Sequence, residues 1–175
     1  MQEEYYRQII RQYGDEIRVF IGRMVPQRCD ADELAQDTFV KAFRFISSYD
    51  SRRGPMNQWL LRIAYHEALM YLRRHKQQTC YLEDDERWLN RISDDEADRM
   101  LSEMQEQRIR NLEDTISRLS AEDQTLLHLY YHDGMRLRQI SEIMDHDAAY
   151  LATRLQRIRK RLCVMIKTIE ADEDK

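Results

Sequence analysis

The chain has 175 residues, 42% hydrophobic and 34% charged, with a formal net charge of -4; this suits one ordinary domain or two small ones and argues against a disordered tail. Only 4 Gly and 2 Pro leave few turn signals, so long helices on short connections, an all-α fold, are expected. Cys29, Cys80 and Cys163 are far apart and odd in number, which speaks against a disulfide framework or a CxxC zinc knuckle. The opening MQEEYYRQII is polar and acidic where a secretory signal is basic and then apolar, and no run approaches membrane-spanning length. A cytoplasmic protein without membrane insertion is expected.

From Glu4 to Val25 the residues Tyr6, Ile9, Ile10, Tyr13, Ile17, Phe20, Ile21 and Met24 recur at helical spacing, and Pro26 marks the stop. A second helix is expected in DADELAQDTFVKAFRFISSYD, with Asp30 or Asp32 as its cap. Its inward stripe is Leu34, Ala35, Thr38, Phe39, Ala42, Phe43 and Ile46, and its outer face carries Asp32, Gln36, Asp37 and Lys41. DSRRGP breaks the pattern, and MNQWLLRIAYHEALMYLRRHK restores it through Trp59, Leu60, Ile63, Ala64, Leu69 and Leu72. The next stretch, YLEDDERWLNRISDDEADRMLSEMQE, is dense in acid and reads as a linker. Three segments follow: residues 1–80, an acidic linker over 81–107, and a second helical domain over 108–175.

In the last third four helices are expected. Ser120 caps AEDQTLLHLYY, Gly134 suits a left-handed stop, and DHD separates LRQISEIM from a basic helix. Ile140, Ile143 and Met144 form one stripe; Leu151, Leu155, Ile158 and Leu162 form the next, and such a pair joined by a tight turn reads as a helix-turn-helix. On the second helix Tyr150, Arg154, Arg157 and Arg161 share a flank away from the leucines, with Thr153 and Lys160 further round. Such a flank suits guanine edges and phosphates, although a solvated basic face alone is the commoner fate of charged helical residues. The acid lies mainly in the linker and the tail, so net charge conceals a basic patch.

Two other groups of side chains bear on enzymatic or metal chemistry. Glu33 and Asp37 as an acid/base pair would need a pocket and a split in pKa that a surface helix does not offer. His128 and His132, at i and i+4, face the same way with Asp133 beside them and His146 later, but lack a committed third ligand, so no metal or other cofactor is assigned. With no nucleophile constellation or phosphate loop, the chain is read as a non-enzyme.

The ordered set DADELAQDTFVKAFRFISSYD, WLLRIAYHEALMYLRRHK, acidic linker and LSAEDQTLLHLYYHDGMRLRQISEIM resembles the bacterial RNA polymerase sigma factors of the small extracytoplasmic-function (ECF) type, over nearly the whole chain. That resemblance implies a promoter-specificity subunit acting in response to a stress or envelope signal, with core RNA polymerase, promoter DNA and a possible anti-sigma factor as partners. It implies a region-2-like first domain whose DELAQDTFVKAF helix meets the clamp helices of the largest polymerase subunit through Asp32, Gln36, Asp37 and Lys41, with Phe39 and Phe43 inside. Asn57, Trp59, Arg62, Tyr65 and His66 would face the melted minus-ten strand, with Arg73, Arg74 and Lys76 on phosphates. For Trp59 a core role is the plainer reading.

The region-4-like second domain would read the minus-thirty-five element through Tyr150, Thr153, Arg154, Arg157, Lys160 and Arg161. The chain departs from the family pattern at His66, where many members carry Asn, at Tyr150, where Thr is common, and at Ala152, where a basic residue is common. The alternative is a stand-alone helix-turn-helix regulator, which would leave the N-terminal helices and the linker unexplained.

Overall fold

The computed structural model describes residues 2–75, 109 and 111–173. Among the described residues all regular structure is helical: α1 (Gln2–Met24), α2 (Arg28–Arg44), α3 (Met56–His75), α4 (111–117), α5 (Ala121–Leu127), α6 (Leu137–Met144) and α7 (Ala148–Glu173). A π turn, His128–His132, extends α5. The acidic linker and Lys76 lie outside the described residues.

α1, α2 and α3 pack on one another. α1 buries Ile9, Ile17, Phe20, Ile21 and Met24, and Tyr6 stacks on Phe43 of α2 with ring centroids 4.2 Å apart. Ile10, expected in the same stripe, is 43% exposed, because consecutive helical residues point about 100° apart and Ile9 already takes the inward direction. α2 also begins earlier than expected. Gln27 is its N-cap, without a side-chain cap bond, so neither Asp30 nor Asp32 caps it. Both acids work across helices instead: Asp30 accepts the Tyr71 hydroxyl of α3, and Asp32 pairs with Arg18 of α1 at 3.2 Å. In α3, Ala64 and Ala68 are fully buried beside Leu60, Leu61 and Tyr65. Small side chains there leave room for helices on more than one side.

The second unit follows the expected punctuation. Ser120 Oγ accepts the Asp123 backbone N–H at 3.2 Å, and Gly134 sits at φ +63°, the region a glycine enters without steric cost. α6 ends on Asp145 in the left-handed conformation, φ 57°, which short polar Asp tolerates better than most residues. A three-residue turn later, Asp147 Oδ1 accepts the Ala149 N–H at 2.8 Å and caps α7.

The two units share one core. α6 packs against α3 as well as α7, and its Ile140, Ile143 and Met144 are at most 2% exposed. Three ion pairs cross the same seam: Arg62–Asp145 at 2.8 Å, Arg73–Glu122 at 3.5 Å and Arg23–Asp133 at 3.9 Å. Half-exposed pairs of this kind contribute little, about 0–1 kcal/mol each. The apolar contact carries the seam. Accordingly Ile143→Ala is expected to cost about 2–5 kcal/mol, read from the midpoint of urea unfolding; a loss below about 1 kcal/mol would mean that α6 is not core.

Candidate nucleic-acid interface

α7 presents its leucine stripe inward, with Leu151, Leu155 and Ile158 buried, and this fixes where the basic flank points. Arg157, Lys160 and Arg161 are exposed, as are Tyr150 and Thr153. Tyr150 lies against His146, ring centroids 5.1 Å apart, and the Thr153 hydroxyl donates to Ala149 O at 3.0 Å. Arg154 is the exception. Its side chain is only 17% exposed, with Nε donating to Asp123 Oδ1 at 2.6 Å and Nη1 to Glu122 Oε2 at 3.0 Å. Burial acts against its charge, but the bonds to the two carboxylates outweigh it and hold the guanidinium protonated. Sequence patterning does not reveal this neutralisation, because α5 and α7 meet only in the fold.

A further cation on α7 is placed by the fold. Arg159 lies over the Tyr131 ring at 5.5 Å and donates to its hydroxyl, which turns it away from the flank of Arg157 and Arg161. The only sequence signal for it is the adjacent pair Tyr130 and Tyr131.

On α3, Trp59, Arg62 and His66 line an open cleft of about 560 Å³ together with Tyr49, Arg53 and Pro55 of the preceding loop and Glu142 of α6. The loop is set by Asp50, which accepts from the Arg52 backbone and side chain, and by Tyr49, whose ring packs on Trp59. Trp59 is half-buried, so it both holds this loop and borders the cleft. His66 Nδ1 lies 2.7 Å from Arg62 O, which leaves Nε2 as its outward atom. Asn57 does not line the cleft; its amide donates to Glu16 Oε1 of α1 at 3.3 Å. Arg74 is exposed, while Arg62 and Arg73 are held by Asp145 and Glu122 across the seam.

Tyr65 is 1% exposed. Burial, then the nearby Glu122 charge, pushes its phenol up to about 12, and its hydroxyl has no hydrogen-bond partner among the described residues. Its placement against the second unit is not visible in a helical wheel of α3 alone.

On α2, Gln36 and Asp37 are exposed, and Asp32 is tied to Arg18. Lys41 is half-buried in an ion pair with Glu67 of α3. Phe39 is buried and Phe43 half-buried, as expected of an inner face. Glu33 and Asp37 do line an open groove between α2 and α3, with Asp30, Lys41, Glu67 and Tyr71, so a concavity exists where a bare surface was expected. His128 and His132 lie away from these faces, with their rings stacked at 4.3 Å. Burial, and next the Arg23 charge, push the His128 imidazole below its usual range.

Residues 9–78 match the sigma-70 region 2 family. The chain is 28% identical over 163 residues to the ECF RNA polymerase sigma-E factor of Haemophilus influenzae, covering 88% of this chain and 83% of that protein. It is 24% identical over 155 residues to the ECF RNA polymerase sigma factor SigM of Bacillus subtilis, covering 89% and 91%. Among solved structures it is similar to the sigma factor RpoE of Bartonella quintana, determined in complex with the anti-sigma factor NepR, with a TM-score of 0.66, 18% identity and coverage of 94% and 98%. That likeness supports the helical fold. No helix among the described residues is long and apolar enough to cross a membrane.

The unpartnered Tyr65 hydroxyl generates a prediction. Tyr65→Phe removes a buried donor that satisfies nothing, so stability is expected to hold or rise by about 1 kcal/mol, measured by thermal unfolding. A loss of more than about 1 kcal/mol would show that the hydroxyl has a partner in solution.

Proposed function

We propose that the chain acts as an extracytoplasmic-function sigma factor, a transcription initiation factor, which the sigma-70 region 2 match and the ECF relatives support, and that its surfaces divide among its partners as follows. α7 is the minus-thirty-five reader, through Arg157, Lys160 and Arg161 with Tyr150 and Thr153 beside them. The observation that carries this is the exposed basic flank of α7, held outward by its buried leucine stripe after a three-residue turn from α6. Arginines that are exposed and have no carboxylate partner among the described residues can take guanine edges or phosphates. Arg154 joins them only by leaving Glu122 and Asp123.

The cleft bordered by Trp59, Arg62 and His66 is the minus-ten site. A base extruded from the duplex costs a few kcal/mol, which stacking and edge hydrogen bonds must offset; an aromatic ring, a guanidinium and an imidazole supply both kinds of contact. Arg62 and Arg73 are engaged across the seam, and Tyr65 is covered by it, so we take promoter engagement to follow separation of α3 from α6. The exposed face of α2 with Gln36 and Asp37 docks on core RNA polymerase; Lys41 and Asp32 contribute after exchanging their present partners. An anti-sigma factor, of the kind NepR is for RpoE, is proposed to hold the chain inactive. The stand-alone regulator is not favoured, because the relatives match across both helical units.

The deciding experiment is whether the purified protein co-elutes with core RNA polymerase from its own species and directs start-site-specific transcription from genomic DNA. DNA binding without polymerase-dependent initiation would overturn the reading. Within it, Arg157→Ala is expected to weaken promoter binding by about 1–3 kcal/mol where it reads a base, or to flatten the salt dependence by about one counterion where it meets phosphate. Unchanged binding and slope would remove it from the interface. Asp37→Ala is expected to reduce co-elution with polymerase at an unchanged melting temperature, since its side chain is exposed.

A further inference from the structure

The π turn that closes α5 gathers three donors that the promoter-reading surfaces do not use. We propose that His128, His132 and Asp133 form a binding site for a divalent first-row transition-metal ion, zinc foremost, with solvent completing the coordination.

The local backbone is what assembles it. His128 and His132 are neighbours on one face at either α or π winding, but Asp133 is not. In an α-helix a residue five positions on is turned by about 140°; with i→i+5 bonding and about 4.4 residues per turn, it comes round to within about 50°. Here the Asp133 N–H bonds to His128 O at 3.1 Å, the closing bond of that wider turn, and the carboxylate returns to the side of the imidazoles. Asp133 Oδ1 lies 2.9 Å from His132 Nδ1 and 3.4 Å from His128 Nε2.

The donor atoms of all three residues fall within 4.8 Å of one another. Tetrahedral zinc, with bonds of about 2.0–2.1 Å, separates its ligand atoms by about 3.3 Å. Two of the separations are therefore near what the ion needs, and the 65%-exposed His132 side chain, whose ring now stacks on His128, must turn out of that stack for both imidazoles to point at one ion. His128 Nε2 is buried and makes no hydrogen bond of ordinary geometry among the described residues, its polar neighbour Asp133 Oδ1 standing off at 3.4 Å; as the neutral tautomer with Nε2 bare, it would be satisfied by a metal. Two imidazoles and one carboxylate select against Mg²⁺ and Ca²⁺, which take oxygen, and suit Zn²⁺ and its neighbours with an open position.

Arg23 of α1 is the resident competitor. Its Nη1 stands 3.9 Å from Asp133 Oδ1 and its side chain is 39% exposed, so it can swing into solvent as one cation replaces another. A bound metal would take Asp133 out of one of the ion pairs that tie the two units together.

The test uses the untagged full chain. Titration with Co²⁺, followed by competition with Zn²⁺, is expected to give one equivalent bound, with the visible absorption of a four-coordinate nitrogen and oxygen site and no thiolate charge-transfer band from the cysteines. His132→Ala and Asp133→Asn are each expected to weaken the affinity at least about tenfold, with melting in EDTA close to that of the parent, and Arg23→Gln is expected to strengthen it. Absence of binding, a thiolate-type spectrum, or unaltered affinity in both His132→Ala and Asp133→Asn would overturn the site.

Discussion

The burial of α6 between α3 and α7 is the contact on which the rest of the structure depends. An eight-residue helix is far too short to persist by its own hydrogen bonds, so α6 exists because Ile140, Ile143 and Met144 are removed from water. Each such side chain contributes about 1.5–3 kcal/mol on full burial, well above the exposed ion pairs around it. Apolar area therefore holds the units together. The pairs Arg62–Asp145 and Arg73–Glu122 set the register at which they meet.

Glu122 links the two faces proposed to meet nucleic acid. One of its oxygens faces Arg73 of α3 at 3.5 Å and the other accepts from Arg154 of α7 at 3.0 Å. Both cations are among those proposed to meet the promoter, and both are partly neutralised by one carboxylate. A phosphate arriving at either would compete for the same guanidinium, so engagement on one face releases part of the restraint on the other. Charge segregation thus works at short range: the acid that matters to Arg154 is the first turn of α5, next to it in the fold.

On the proposed sigma-factor reading this arrangement separates two properties that a single rigid surface would join. The outward flank of α7 is presented whether or not the units part, whereas Tyr65 and Arg62 of α3 become available only when they do. The cleft beside Trp59 is bordered by Glu142 of α6, so the proposed separation would also remove a carboxylate from it and make it more favourable to a nucleic-acid strand. The closed state leaves the α2 face uncovered, so on the proposed reading docking on polymerase precedes strand capture.

Helical period and much of the turn chemistry are local, and the sequence by itself determined them: the order of the seven helices among the described residues, the Ser120 cap, the left-handed Gly134, and the inward stripes of α6 and α7 all follow from spacing and residue type. The linear pattern also contained the basic flank of α7 and the outer face of α2, because a helix with one apolar stripe leaves no choice about its opposite side. Tertiary structure alone decided which of those outward residues are free. Arg154, Lys41, Arg62 and Tyr65 look equivalent to their neighbours on a helical wheel, yet each is bound or buried by a residue from another helix, as Arg154 is by Asp123, 31 positions away. The caps expected at Asp30 and Asp32 were likewise redirected by partners on α3 and α1. The same reason explains Asp133: its distance from His128 along the chain predicts opposite sides of an α-helix, and only the extra residue in the π turn brings them together. Periodicity reports the face a side chain is on; what occupies that face depends on contacts between segments remote in the chain.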